Sequence, residues 1–158
     1  MSARGFSMIE LVMVMAVVAI LALIALPSFL DRNVRLQVQE AMVLAKLPKD
    51  GVAAFYAANK DMPSSNEDAG VPAKEKIVST LVTEVSIDAG AVTITFGNSV
   101  NSAISGKRLT WRPAVVKDTP TTPIAWLCNN TAVPSPMTAM GFNRTDIPAK
   151  WLPMECRN

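Results

Sequence analysis

Residues 5–30 read GFSMIELVMVMAVVAILALIALPSFL. From Leu11 to Leu26 the stretch carries no polar side chain, and widening it to Phe6 and Leu30 adds only Ser7, Glu10, Pro27 and Ser28 as interruptions. As a helix it is roughly 37 Å long, enough to cross a hydrocarbon layer of about 30 Å. A secretory signal peptide needs a basic n-region and a small-residue cleavage site beyond the apolar core. Here Arg4 is the one basic residue ahead of the run, and Pro27-Ser28-Phe29-Leu30-Asp31-Arg32 offers no A-x-A-like site. A retained anchor fits better. Glu10 lies inside the segment, where a carboxylate costs about 2.5–3.5 kcal/mol at a helix centre and less near an end. It either meets a partner or snorkels at the helix start, where the dipole favours an anion.

Composition excludes several classes of function. The 158 residues suffice for one ordinary domain. Half are hydrophobic and 18% are charged, which excludes a disordered chain. A net charge of +2 gives no bulk attraction to nucleic acid or an acidic substrate. There is no histidine, so the usual general base and the commonest metal ligand are missing. Two cysteines cannot build a four-thiolate site. The carboxylates beyond residue 60 are scattered without a paired arrangement, so neither catalysis, cofactor nor metal is expected.

Past the apolar run the pattern turns amphipathic. Between Asp31 and Asn59, Val34, Val38, Ala41 and Ala45 fall at i, i+4, i+7 and i+11, on one face of a helix, with Arg32, Arg35, Gln39, Glu40 and Lys46 largely off it. One long helix is expected, interrupted at Pro27 and Pro48, where a missing N–H bends or loosens the backbone. KDMPSSNEDAGV at 60–71 is a loop, and Lys74–Leu81 contains at most a helical turn. Four period-2 runs follow, around Val85–Ile87, Val92–Phe96, Leu109–Trp111 and Ile124–Cys128, with a turn at Asp88-Ala89-Gly90. They predict an antiparallel meander with one buried face covering the helix stripe. The fold class is α+β: a long N-terminal helix, hydrophobic in its first half, packed on a four-stranded antiparallel sheet.

Gly5-Phe6-Ser7-Met8-Ile9-Glu10 closely resembles the processing site of type IV prepilins: a short basic leader ending in glycine, then phenylalanine, then glutamate at the fifth place of the mature chain. Pro27 falls where such pilins carry a late proline, and VTITFGN, GKRLTWRPAV and PIAWLC look like the sheet of Gram-negative type IVa pilins. The resemblance implies that a prepilin peptidase cuts after Gly5 and methylates the new amine of Phe6. Residues 1–5 are then a cleaved leader, 6–30 the membrane and filament-core half of the helix, 31–59 its amphipathic half, and 60–158 the globular head. In a filament of such helices, the buried amine of Phe6 in one subunit and Glu10 of a neighbour neutralise each other. Everything past the anchor is extracytoplasmic in this reading, so a Cys128–Cys156 disulfide is expected, bounding a C-terminal loop; two reduced, buried cysteines are the alternative.

The implied function is structural: a subunit of a retractable surface pilus serving adhesion, twitching motility and DNA uptake. It would be held in the inner membrane as a precursor, then assembled into a helical homo-oligomer by an assembly platform and cytoplasmic ATPases. One alternative is a DNA-binding minor pilin using Lys107, Arg108, Arg112 and Lys117, of which Arg108 and Arg112 share the outward face of one strand; a solvated sheet face is the plainer reading. Another is a type II secretion pseudopilin. Asp146 and Glu155 are the only carboxylates after Asp118, too sparse for the calcium site such proteins carry.

Overall fold

The computed structural model describes residue 5, residues 7–117 and residues 119–157, with the side chains of 25–28 left outside the description. The chain forms two compact units, Met1–Asn33 and Val34–Asn158. Helix α1 spans Met8–Met42, so it contributes to both. In the first unit the described side chains from Ser7 to Ile24 are all exposed, apolar ones included. By length and composition the helix can cross a membrane. The expected bend at Pro27 falls among the side chains outside the description.

The second unit is a helix on a sheet. A 3-10 turn at Val43–Ala45 separates α1 from α2, Lys46–Asn59. The turn lies just ahead of Pro48, which has no N–H to give the Leu44 carbonyl and whose ring crowds it. Val34, Val38, Ala41, Ala45, Pro48, Val52 and Tyr56 are all buried, so the stripe read over 34–45 continues through both helices. Opposite it lie β1 (Val82–Asp88), β2 (Ala91–Phe96), β3 (Arg108–Val115) and β4 (Ala125–Cys128), antiparallel in sequential order. A two-residue β5, Thr138–Ala139, pairs with the end of β3. Val85, Ile87, Val92, Ile94, Phe96, Leu109 and Trp111 join the helix stripe in one core cluster. The β1–β2 turn has positive φ at both Ala89 (47°) and Gly90 (78°), which matches the twist of a two-residue hairpin.

The expectation of one buried face needs correction. On the opposite side of the sheet Thr93, Thr110, Ala114 and Leu127 are also buried. The C-terminal segment lies over them: the Arg144 N–H donates to Thr110 Oγ1 at 3.2 Å, and its guanidinium reaches Asp88 of β1. Thr93 and Thr110 hydroxyls meet each other at 3.0 Å, which satisfies two polar groups that would otherwise be stranded. The helical turn in the 74–81 stretch is confined to Lys74–Lys76.

The free edge of β1 is closed by one side chain. Asn66, 8% exposed, donates from Nδ2 to the Val85 carbonyl at 3.0 Å and accepts the Ile87 N–H on Oδ1 at 2.8 Å. Its amide thus stands in for a neighbouring strand, and a second Nδ2 bond to the Pro72 carbonyl holds the 60–72 loop over the edge. Asn66→Ala strips three backbone groups of their partner and is expected to cost about 2 kcal/mol. Asn66→Asp should cost more, because an acceptor then faces two carbonyls. Urea denaturation of the Val34–Asn158 head, whose core is self-contained, measures both.

Candidate functional site

Two regions carry the residues singled out from sequence: the start of α1 and the C-terminal loop. Gly5 is exposed, and a Cβ there would meet nothing within 4 Å. Phe6 lies outside the described residues, so the expected cleavage and methylation site is not described on its mature side. Ser7 sits just ahead of the helix and accepts the Leu11 N–H on its carbonyl at 3.1 Å. Its own N–H donates to Glu10 Oε2 at 3.3 Å. Glu10 is the third residue of α1, and this reach back to the cap is the glutamate half of a Ser-x-x-Glu capping box. The sequence carried that signal in Ser7 and Glu10 directly. Of the two readings of Glu10, its own chain thus already shows the carboxylate held at the positive end of the helix.

The C-terminal loop is closed by a Cys128–Cys156 disulfide, with 4.9 Å between Cα atoms. A polar knot surrounds it. Asn129 Nδ2 donates to the Cys156 carbonyl at 3.1 Å, and Thr131 Oγ1 donates to the Cys128 carbonyl at 2.6 Å. Asn143 Nδ2 donates to the side-chain oxygens of Asn129 (3.2 Å) and Asn130 (2.8 Å). Arg35 of α1 donates to the Lys150 carbonyl at 2.7 Å, so the loop is also fastened to the helix.

A family model described as pilin, a bacterial filament protein, matches residues 34–157, and a prokaryotic N-terminal methylation motif matches residues 1–26. A fimbrial protein of Neisseria meningitidis is 36% identical over 98% of this chain and 94% of its own length. The type IV major pilin protein PilE1 of Neisseria gonorrhoeae is 36% identical over 98% of this chain and 87% of its own. The chain belongs to the pilin family. A fimbrial protein, EcpC, of Eikenella corrodens is similar as well, at 31% identity over 98% of this chain and 91% of its own length.

In this pilin the four cations considered for DNA contact do not form one patch. Arg108 is paired with Asp146, through Nη2 at 3.2 Å and Nε at 3.3 Å. Arg112 is half-buried, with Nη2 3.5 Å from the Asn129 carbonyl and a buried Nε that has no partner among the described residues. Lys107 is half-buried at the start of β3, and Lys117 is exposed beyond its other end. Lys117 lies nine residues on from Arg108, past the far end of the eight-residue strand β3, about 30 Å when extended. The face that Arg108 and Arg112 share is the one the 143–146 segment crosses, which corrects the expectation that it is a solvated sheet face.

One cation escaped the sequence reading. Lys49 of α2 places its Nζ 4.3 Å from the centre of the Trp111 ring and 5.4 Å from that of Trp126. Burial pulls its pKa down from 10.5 to about 8, against the pull of the Glu155 carboxylate. The two indole faces also favour the charged form. The folded-state value lies below the unfolded one, so the unfolded chain binds more protons between pH 8 and 10.5. Burying the cation therefore opposes folding fully below about pH 8, and this penalty fades as pH rises towards 10.5. The stability of wild type relative to Lys49→Met should accordingly rise between those limits and stay flat below pH 7; paired urea titrations across pH check it. In the same assay, Cys128→Ser with Cys156→Ser opens a 28-residue loop and should lose about 3.5 kcal/mol.

Proposed function

We propose that this pilin is the structural subunit of a type IV pilus, polymerising through the apolar helix that begins at Met8. The carrying observation is the near-full-length similarity to proteins named type IV major pilins, on a chain whose methylation-motif segment is an exposed apolar helix. The precursor sits in the inner membrane through residues 6–30. Prepilin peptidase removes residues 1–5 and methylates the Phe6 amine. Residues 31–59 carry the head, 60–158, on their amphipathic face. Assembly platform and ATPases then move subunits between membrane and surface filament, and adhesion, motility or DNA uptake are properties of the whole fibre. The subunit itself performs no catalysis.

Glu10 has a defined part in this scheme. In a dry bundle of parallel helices the Phe6 amine is a cation and Glu10 an anion; neither is tolerable alone, and each neutralises the other across subunits. The Ser7 N–H keeps the carboxylate at the helix end, where an arriving amine can reach it. Intact mass of sheared surface filaments should match the chain lacking Met1–Gly5, with one added methyl and the disulfide formed. Glu10→Gln should leave processing intact and reduce filament yield by an order of magnitude or more; undiminished filaments would remove the charge pairing, and retention of Met1–Gly5 in filaments would remove the processing scheme.

A further inference from the structure

A cavity of about 370 Å³ opens where three separate pieces of the head meet, lined by Tyr56, Lys60, Val115, Lys117, Thr138 and Met140. The end of α2 supplies the first two residues, one turn apart, and the Lys60 N–H bonds to the Tyr56 carbonyl at 2.9 Å to fix their spacing. The end of β3 supplies Val115, and Lys117 follows in the turn beyond it. β5 supplies Thr138, held opposite Val115 by strand pairing, and Met140 follows with its N–H on the Pro113 carbonyl at 2.8 Å.

The lining has a definite chemistry. Lys60 and Lys117 line it, neither in an ion pair among the described residues, and no carboxylate lines it among the described residues. Val115 and Met140 supply an apolar wall. Tyr56, 7% exposed overall, contributes the aromatic side chain of this lining. The volume falls within the range of small-molecule sites.

We propose that this cavity binds a small phosphomonoester with an apolar body. Two lysines match the charge of the phosphate dianion as point-charge donors, the Tyr56 and Thr138 hydroxyls hydrogen-bond its oxygens, and Val115 and Met140 cover the carbon portion. Every residue lining the cavity lies in the Val34–Asn158 head.

The test uses the Val34–Asn158 head, which contains every residue of the core cluster. Phenyl phosphate is titrated while amide and methyl NMR signals of the lining residues are followed. Saturable shifts confined to the cavity are expected, with a dissociation constant on the order of 1 mM or tighter. Inorganic phosphate, lacking the apolar body, should bind roughly tenfold more weakly. Lys60→Gln with Lys117→Gln should weaken phenyl phosphate at least tenfold, and Tyr56→Phe about threefold or more with the fold retained. Absence of saturable shifts, equal affinity for inorganic phosphate, or indifference to the lysine pair would overturn the proposal. So would self-association of the head that fills the cavity with an acidic side chain of a second copy.

Discussion

The head depends on how closely one helix can approach its sheet. Along the buried stripe the helix presents Val34, Val38, Ala41, Ala45, Pro48 and Val52, none larger than valine, until Tyr56 at its end. The bulk comes from the other side, where Phe96, Ile94, Leu109 and Ile104 are fully buried. Small residues facing large ones let two layers interdigitate at the density of a packed interior. A leucine at Ala41 or Ala45 would have to displace backbone, because both sites are sealed. Every other feature of the head is arranged around this contact. The Arg35 and Gln37 side chains flank the stripe and bond to the Lys150 carbonyl and the Asn101 N–H, so the helix also positions two distant loops.

Periodicity made the layer pair legible, and its gaps have physical causes. The helix stripe and four strands follow from 3.6- and 2-residue repeats alone. β1 begins earlier than its alternation shows because the register shifts between Val82 and Glu84, and a bulge breaks the period. β3 runs on past Pro113, a residue that normally argues against a central strand. It is tolerated because its carbonyl, and with it the missing N–H, faces the side where β2 has ended and Met140 takes over. The covering of the second sheet face was not legible. Its contacts join residues far apart in the chain, such as Arg144 with Asp88 and Asp146 with Arg108, and its buried residues include Thr93 and Thr110, which read as solvent-facing. Of the sites, the cysteine pair and the Ser7/Glu10 box are local signals, whereas the Lys49 bracket and the Tyr56 cavity exist only after folding.

The loop between the cysteines is held by both apolar and polar contacts. Ile147 and Leu152 are buried in the core cluster, whereas Phe142 and Met154 are 72% and 83% exposed. Asparagines hold the rest. Asn129 and Asn143, each in an N-x-T sequence, both spend their amide nitrogens inside the knot. A glycan on either nitrogen would remove a donor from a part-buried carbonyl or amide oxygen and force the loop open, so these sequences are read here as structural. The loop is thereby rigid at its base while apolar groups stay at the surface.

The first unit obeys a different balance. Its exposed apolar side chains, from Met8 to Ile24, gain their hydrophobic energy on leaving water, whether they enter lipid or a bundle of like helices. Lipid tails are as apolar as leucine, so exchanging one for the other is close to neutral in burial and is decided by packing and by polar groups. In the proposed filament that leaves the reversible step between membrane and fibre resting on small differences. Glu10 is the polar group within this span beyond the cap. In the bilayer its carboxylate has the Ser7 N–H and the helix dipole, and in the bundle it gains a neighbouring amine in a place with no water. In the proposed filament one charge pair thus biases an equilibrium that the apolar helix leaves nearly level, the condition under which a modest input of work would run the same subunit in either direction.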